Sequence, residues 1–102
     1  MPAAIAARRR ADADLHVKSG INLHAHGKAK AALAHYAQAL RLRPDDGYTH
    51  YLMGLALQAI GRSAEAHDAW QRVLFLEAAD EQSRWAREMS SRLLDGETHA
   101  PS

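Results

Sequence analysis

The amino-acid sequence predicts an all-α protein made of two tandem helix-turn-helix repeats and a closing helix. Three observations carry this. The chain matches itself when shifted by 34 residues, apolar residues within each copy recur at helical spacing, and glycine or proline breaks that spacing at matching points.

The shift places Gly20 on Gly54, Leu23 on Leu57, Gly27 on Gly61 and Ala32 on Ala66. It also places Tyr36 on Trp70, Leu40 on Leu74 and Leu42 on Leu76. In the first copy, Leu15, Ile21 and Leu23 belong to a first helix that Gly27 interrupts. A second helix follows with Ala32, Leu33, Tyr36, Ala39 and Leu40, the stripe of a helix facing a neighbour. Pro44 and the polar residues Asp45, Asp46 and Gly47 end it. In the second copy, Tyr51, Gly54, Leu55 and Leu57 precede the break at Gly61, and Ala66, Trp70, Val73 and Leu74 follow it. Gly20, Gly54, Ala32 and Ala66 are expected where the two helices of a pair cross, with Tyr36 and Trp70 filling the wider gap beside the crossing.

These residues resemble the tetratricopeptide repeat family. Its pattern is met in the first copy by Gly20, Ala32, Tyr36, Ala39 and Pro44, and in the second by Gly54, Ala66 and Trp70. Val73 and Ala78 depart from it, as do His16 and His50 where an aromatic is usual. The resemblance covers residues 13–80. It implies helix pairs stacked as a short right-handed superhelix, an α-solenoid, whose first helices line a concave groove for partner peptides. The expected division is a repeat at 13–46 and another at 47–80.

Two repeats make a short stack, so the ends should act as caps. Trp85, Met89 and Leu93 form one stripe with Arg84, Arg87, Glu88 and Arg92 around it, which predicts a capping helix over 81–95. Asp80 is an N-cap candidate, so a break is expected before that helix. The alternative is one continuous helix, which would favour dimerisation or swapping. Residues 1–12 are expected to extend the first helix or be disordered, and 96–102 to be a disordered tail.

Composition narrows the function classes. A hydrophobic fraction of 47% with 25% charged residues fits a folded domain. No cysteine is present, so disulfides and thiolate chemistry are excluded. The net charge of +1 advertises neither nucleic acid nor membrane. Arg8, Arg9 and Arg10 read as a solvated charge run, since no aromatic interleaving or further basic stripe accompanies them. The apolar start precedes these arginines, the reverse of a secretory signal, and no stretch is long enough to span a membrane, so a cytoplasmic location is expected. None of the seven histidines has another at i, i+4, and His16 and His50 occupy equivalent repeat positions, so no metal site is expected. There is no phosphate-cradling loop and no local nucleophile motif, so neither catalysis nor a cofactor is expected.

The resemblance implies which residues face the groove. They are Val17, Ile21 and His24 of the first helix, with Asp14 at its edge, and Tyr48, Tyr51, Leu55 and Gln58 of the third. Trp85 and Met89 continue the face onto the closing helix, with Gln82 and Arg92 beside them. One branch of the family grips a terminal carboxylate with lysine and asparagine where this chain has Val17 and Ile21. Lys18 and Asn22 lie one residue along, so that mode is not expected. The leading expectation is an adaptor holding an apolar or amphipathic segment of a protein partner. A homodimer through the same surface or a swapped last helix is the alternative, and a nucleic-acid binder using the basic N-terminus the third reading.

Overall fold

The computed structural model describes residues 2–98. They form five helices: α1 (Pro2–Ala25), α2 (Ala29–Leu42), α3 (Gly47–Ala59), α4 (Ser63–Phe75) and α5 (Glu81–Thr98). Consecutive helices pack against each other, and α3 also touches α1 and α5. Among the described residues α2 and α4 do not meet. Thus α1, α3 and α5 form a continuous row on one side, while the opposite side is opened between α2 and α4. This is a helical solenoid, 18 Å across its shortest direction, the thickness of two helix layers.

Each tight turn is set by one glycine. Gly27 and Gly61 have φ of 77° and 83°, the left-handed region that side chains disfavour. The Gly27 N–H donates to the His24 carbonyl at 3.0 Å and the Lys28 N–H to the Leu23 carbonyl at 2.8 Å. Gly61 and Arg62 repeat the pattern to Gln58 and Leu57 at 3.1 and 2.9 Å. These paired bonds occupy carbonyls that a helix end leaves unsatisfied.

The other two repeated glycines make room for aromatic rings. A Cβ on Gly20 would lie 2.4 Å from the Tyr36 ring, and one on Gly54 would lie 2.2 Å from Trp70 Nε1. The rings themselves cover the glycines, and Ala32 and Ala66 are fully buried. Tyr36 and Trp70 are fully buried too, and Trp70 Nε1 donates to the Tyr51 carbonyl at 3.3 Å. Leu15 lies in α1 with Ile21 and Leu23, and is 63% exposed.

The chain breaks between α4 and α5, where the Ser83 N–H donates to Asp80 Oδ1 at 2.7 Å and caps α5. Thirty-four residues earlier, the Thr49 hydroxyl donates to Asp46 Oδ2 at the start of α3. The period therefore reaches into α5, which stands in the register of another first helix. Its packed face is Ala86, Ser90 and Leu94, one residue along from the expected stripe, because small side chains let α5 approach α3 and α4 closely. Trp85 and the half-buried Met89 and Leu93 flank that contact.

The two chain ends compare differently with expectation. Residues 2–12 continue α1 as helix with their side chains in solvent. Gly96 does not end α5, which runs on to Thr98; the rest of the expected tail, 99–102, lies outside the described residues.

Candidate functional site

The nine residues expected to line a groove all lie on helices of the row α1, α3, α5. The third-helix positions lead, since among the described residues α3 alone has a neighbour from the row on each side. Tyr51 is buried, 6% exposed, against the expectation that it faces a partner. Its ring stands edge-on to Trp85 with centroids 5.3 Å apart, so α5 supplies the cover. Val17 is likewise core at 8% exposure. The remaining apolar surface is Ile21, 40% exposed, the half-buried Tyr48, Leu55 and Met89, and Trp85 at 47% exposed. His24 is half-buried and Gln58 exposed at the rim.

Trp85 is exposed for a topological reason. It follows Tyr51 by 34 residues, and Tyr51 is covered because another helix of the row lies beyond it. Nothing described lies beyond α5. The indole meets Tyr48 at 6.2 Å between centroids, and together they floor a depression of about 600 Å³ edged by Asp80, Glu81 and Gln82. A smaller one of about 220 Å³ lies between Ile21, His24, Ala25, Leu52 and Tyr36.

The Tyr36 hydroxyl is buried without a hydrogen-bond partner. Burial, with a smaller contribution from Tyr48, pushes its phenol up to about 12. The same two causes raise Tyr51. Both rings are thus held neutral across the physiological range and act as packing, with no acid-base chemistry near neutrality.

Other residues weighed from the sequence fall away from this face. Lys18 and Asn22 are exposed on α1 and offer no clamp with Val17 buried. Arg8, Arg9 and Arg10 are exposed near the start of α1, where Arg9 and Arg10 border a depression with Ile5 and Leu42. Arg43, on the same depression, lies 3.8 Å from Asp14. Among the described residues no three acidic or histidine side chains converge as a metal cluster, and no helix is long and apolar enough to cross a membrane. Phe75, at the end of α4, is 87% exposed and was not singled out by sequence pattern. Its neighbour Leu74 shares the helical stripe with Trp70, which is why spacing alone did not separate core from surface there.

Residues 20–61, spanning the end of α1, all of α2 and α3 and the turn after it, match the family model of the TPR repeat. No curated protein and no solved structure matches the chain.

Proposed function

On the premise that this chain belongs to the tetratricopeptide repeat family, a non-enzymatic family of protein-interaction modules, we propose that it is an adaptor. It holds an apolar or amphipathic segment of a partner across the row α1, α3, α5. The observation that carries this reading is the exposed indole of Trp85 beside Tyr48, with the half-buried Leu55 and Met89 and the exposed Ile21 on helices of the same row. An exposed tryptophan costs hydration free energy that a partner's apolar side chains recover, and such rings dominate binding where they occur. Tyr51 and Val17 act from beneath as support.

The test is a photocrosslinker placed at Gln58, beside the proposed surface, with the captured partner then titrated against variants. Trp85→Ala is expected to weaken binding by about tenfold or more, with helix content unchanged. Arg72→Glu, on the opposite side of the stack, is expected to leave it unaltered. Equal binding by Trp85→Ala and the parent chain would sink this reading. If the captured partner is a second copy, light scattering reports a dimer that Trp85→Ala dissociates.

A further inference from the structure

The chain-wide absence of helical i, i+4 histidine pairs excludes only chelation along one helix. Folding brings together two histidines that are 19 residues apart. His16 on α1 and His35 on α2 place their Nδ1 atoms 3.1 Å from each other. Their ring centroids are 5.4 Å apart with the planes inclined at 39°, so the two nitrogens lead and the rings diverge behind them. Both side chains are half-buried, which holds the pair in place yet leaves it reachable.

We propose that His16 and His35 form a two-histidine site for a divalent transition-metal ion of the zinc, nickel and copper class. The spacing is the first reason. Two imidazole nitrogens each about 2.0–2.1 Å from one ion stand about 2.9 Å apart at a right angle and about 3.3 Å apart at the tetrahedral angle. The observed separation falls between these. Imidazole nitrogens suit this class of ion, whereas magnesium and calcium take oxygen donors.

The repeat itself provides the second reason. Shifting by 34 residues takes His16 to His50 and His35 to Ala69. His50 bonds the Pro44 carbonyl through Nε2, and Ala69 is buried in the core. The α3–α4 pair therefore packs without a second imidazole at this level, so the helix pair has no packing need for His35. The α1–α2 face is open to solvent, and polar groups there keep such an end soluble. Solubility asks for polarity, not for two nitrogens converging on one point. Asp12, one turn before His16 on α1, and Arg41 border the same depression. No third ligand side chain converges among the described residues, so the remaining coordination positions are open to water or to an incoming donor.

The experiment uses the full chain without an affinity tag, titrated calorimetrically with Zn²⁺ and separately with Ni²⁺. One ion per chain is expected. His16→Gln and His35→Gln are each expected to weaken binding by about tenfold or more, and His50→Gln to leave it unchanged. Circular dichroism checks that each variant keeps its helices. If a glutamine variant misfolds, Ni²⁺ added to the parent chain supplies the second readout: it should broaden the ring resonances of His16 and His35 before those of the other histidines. Absence of binding by either ion would overturn the site. So would binding that both variants retain, or broadening that begins elsewhere; in each case the pair is an imidazole–imidazole hydrogen bond and nothing more.

Discussion

Gly54 and Gly96 both lie inside helices, yet their substitution by alanine should act in opposite directions. Alanine is favoured over glycine in a helix by about 1 kcal/mol. At Gly96 an added Cβ meets nothing within 4 Å, so Gly96→Ala should raise the melting temperature slightly. At Gly54 the Cβ would sit 2.2 Å from Trp70 Nε1, against a ring with no exposed edge to retreat into. Overpacking there costs about 1–3 kcal/mol or more, which exceeds the propensity gain, so Gly54→Ala should melt earlier. Thermal denaturation of the two variants decides it. Tyr36 supports a second residue-scale prediction. Its hydroxyl is buried without a partner, so Tyr36→Phe removes an unsatisfied polar group and should leave stability equal or higher. The phenol's folded value of about 12 lies above the ordinary 10. The folded state therefore holds this proton more tightly than the unfolded one. The stability so contributed is complete below pH 10 and is lost as pH rises through about 12. Alkaline unfolding followed by tyrosinate absorbance should move to higher pH in Tyr36→Phe.

At the scale of the helix, α5 carries the most consequence. It covers Tyr51 of α3 and packs on α3 and α4, with Ala86, Ser90 and Leu94 buried. A chain ending at residue 80 would uncover that face and should aggregate or lose cooperative melting, because short helical arrays depend on their terminal units. A monomeric truncation with an unchanged melt would show that α5 is dispensable. The cap at its start should respond to acid. The Ser83 backbone N–H, then its hydroxyl, then Arg43 and Arg84 hold the Asp80 carboxyl below the usual aspartate range. A depressed carboxyl stabilises the fold above its unfolded value, and that contribution disappears as pH falls through the lower folded value. Asp80→Asn retains an N-cap acceptor, so it should melt near the parent at neutral pH and show a weaker loss of stability in acid.

Across the whole molecule, the separation of a packed side from the proposed binding side rests on Leu55 and Leu57. They are two residues apart on α3. Leu57 is 4% exposed in the core, while Leu55 is half-buried at the edge of the row. A lysine at 57 would place a charge in the apolar interior, which consumes much of the roughly 5–15 kcal/mol that holds a domain together. Leu57→Lys should unfold the chain. Leu55→Lys can turn its ammonium to solvent, and should keep helix content while reducing partner capture. Circular dichroism and the crosslinking titration together separate the outcomes. Unfolding of Leu55→Lys to the same extent would make that residue core and remove the centre of the proposed surface.

Much of the fold is local and was therefore readable along the chain. The left-handed turns at Gly27 and Gly61, the break after Leu42 and the cap at Asp80 are decided within a few residues, where glycine, proline and aspartate have few alternatives. The 34-residue period fixes which helices pair, because equivalent residues must meet equivalent partners. Spacing alone did not reveal that Asp46 and Tyr51 recur as Asp80 and Trp85; comparison at a third copy would have shown it. Tertiary structure alone decided how deeply each groove residue lies. Tyr51 and Trp85 hold equivalent positions, yet one is core and the other open, since burial depends on whether another helix follows. The same holds for His16 and His35. They are 19 residues apart on different helices, and only the packing of α1 on α2 brings their nitrogens within reach of each other.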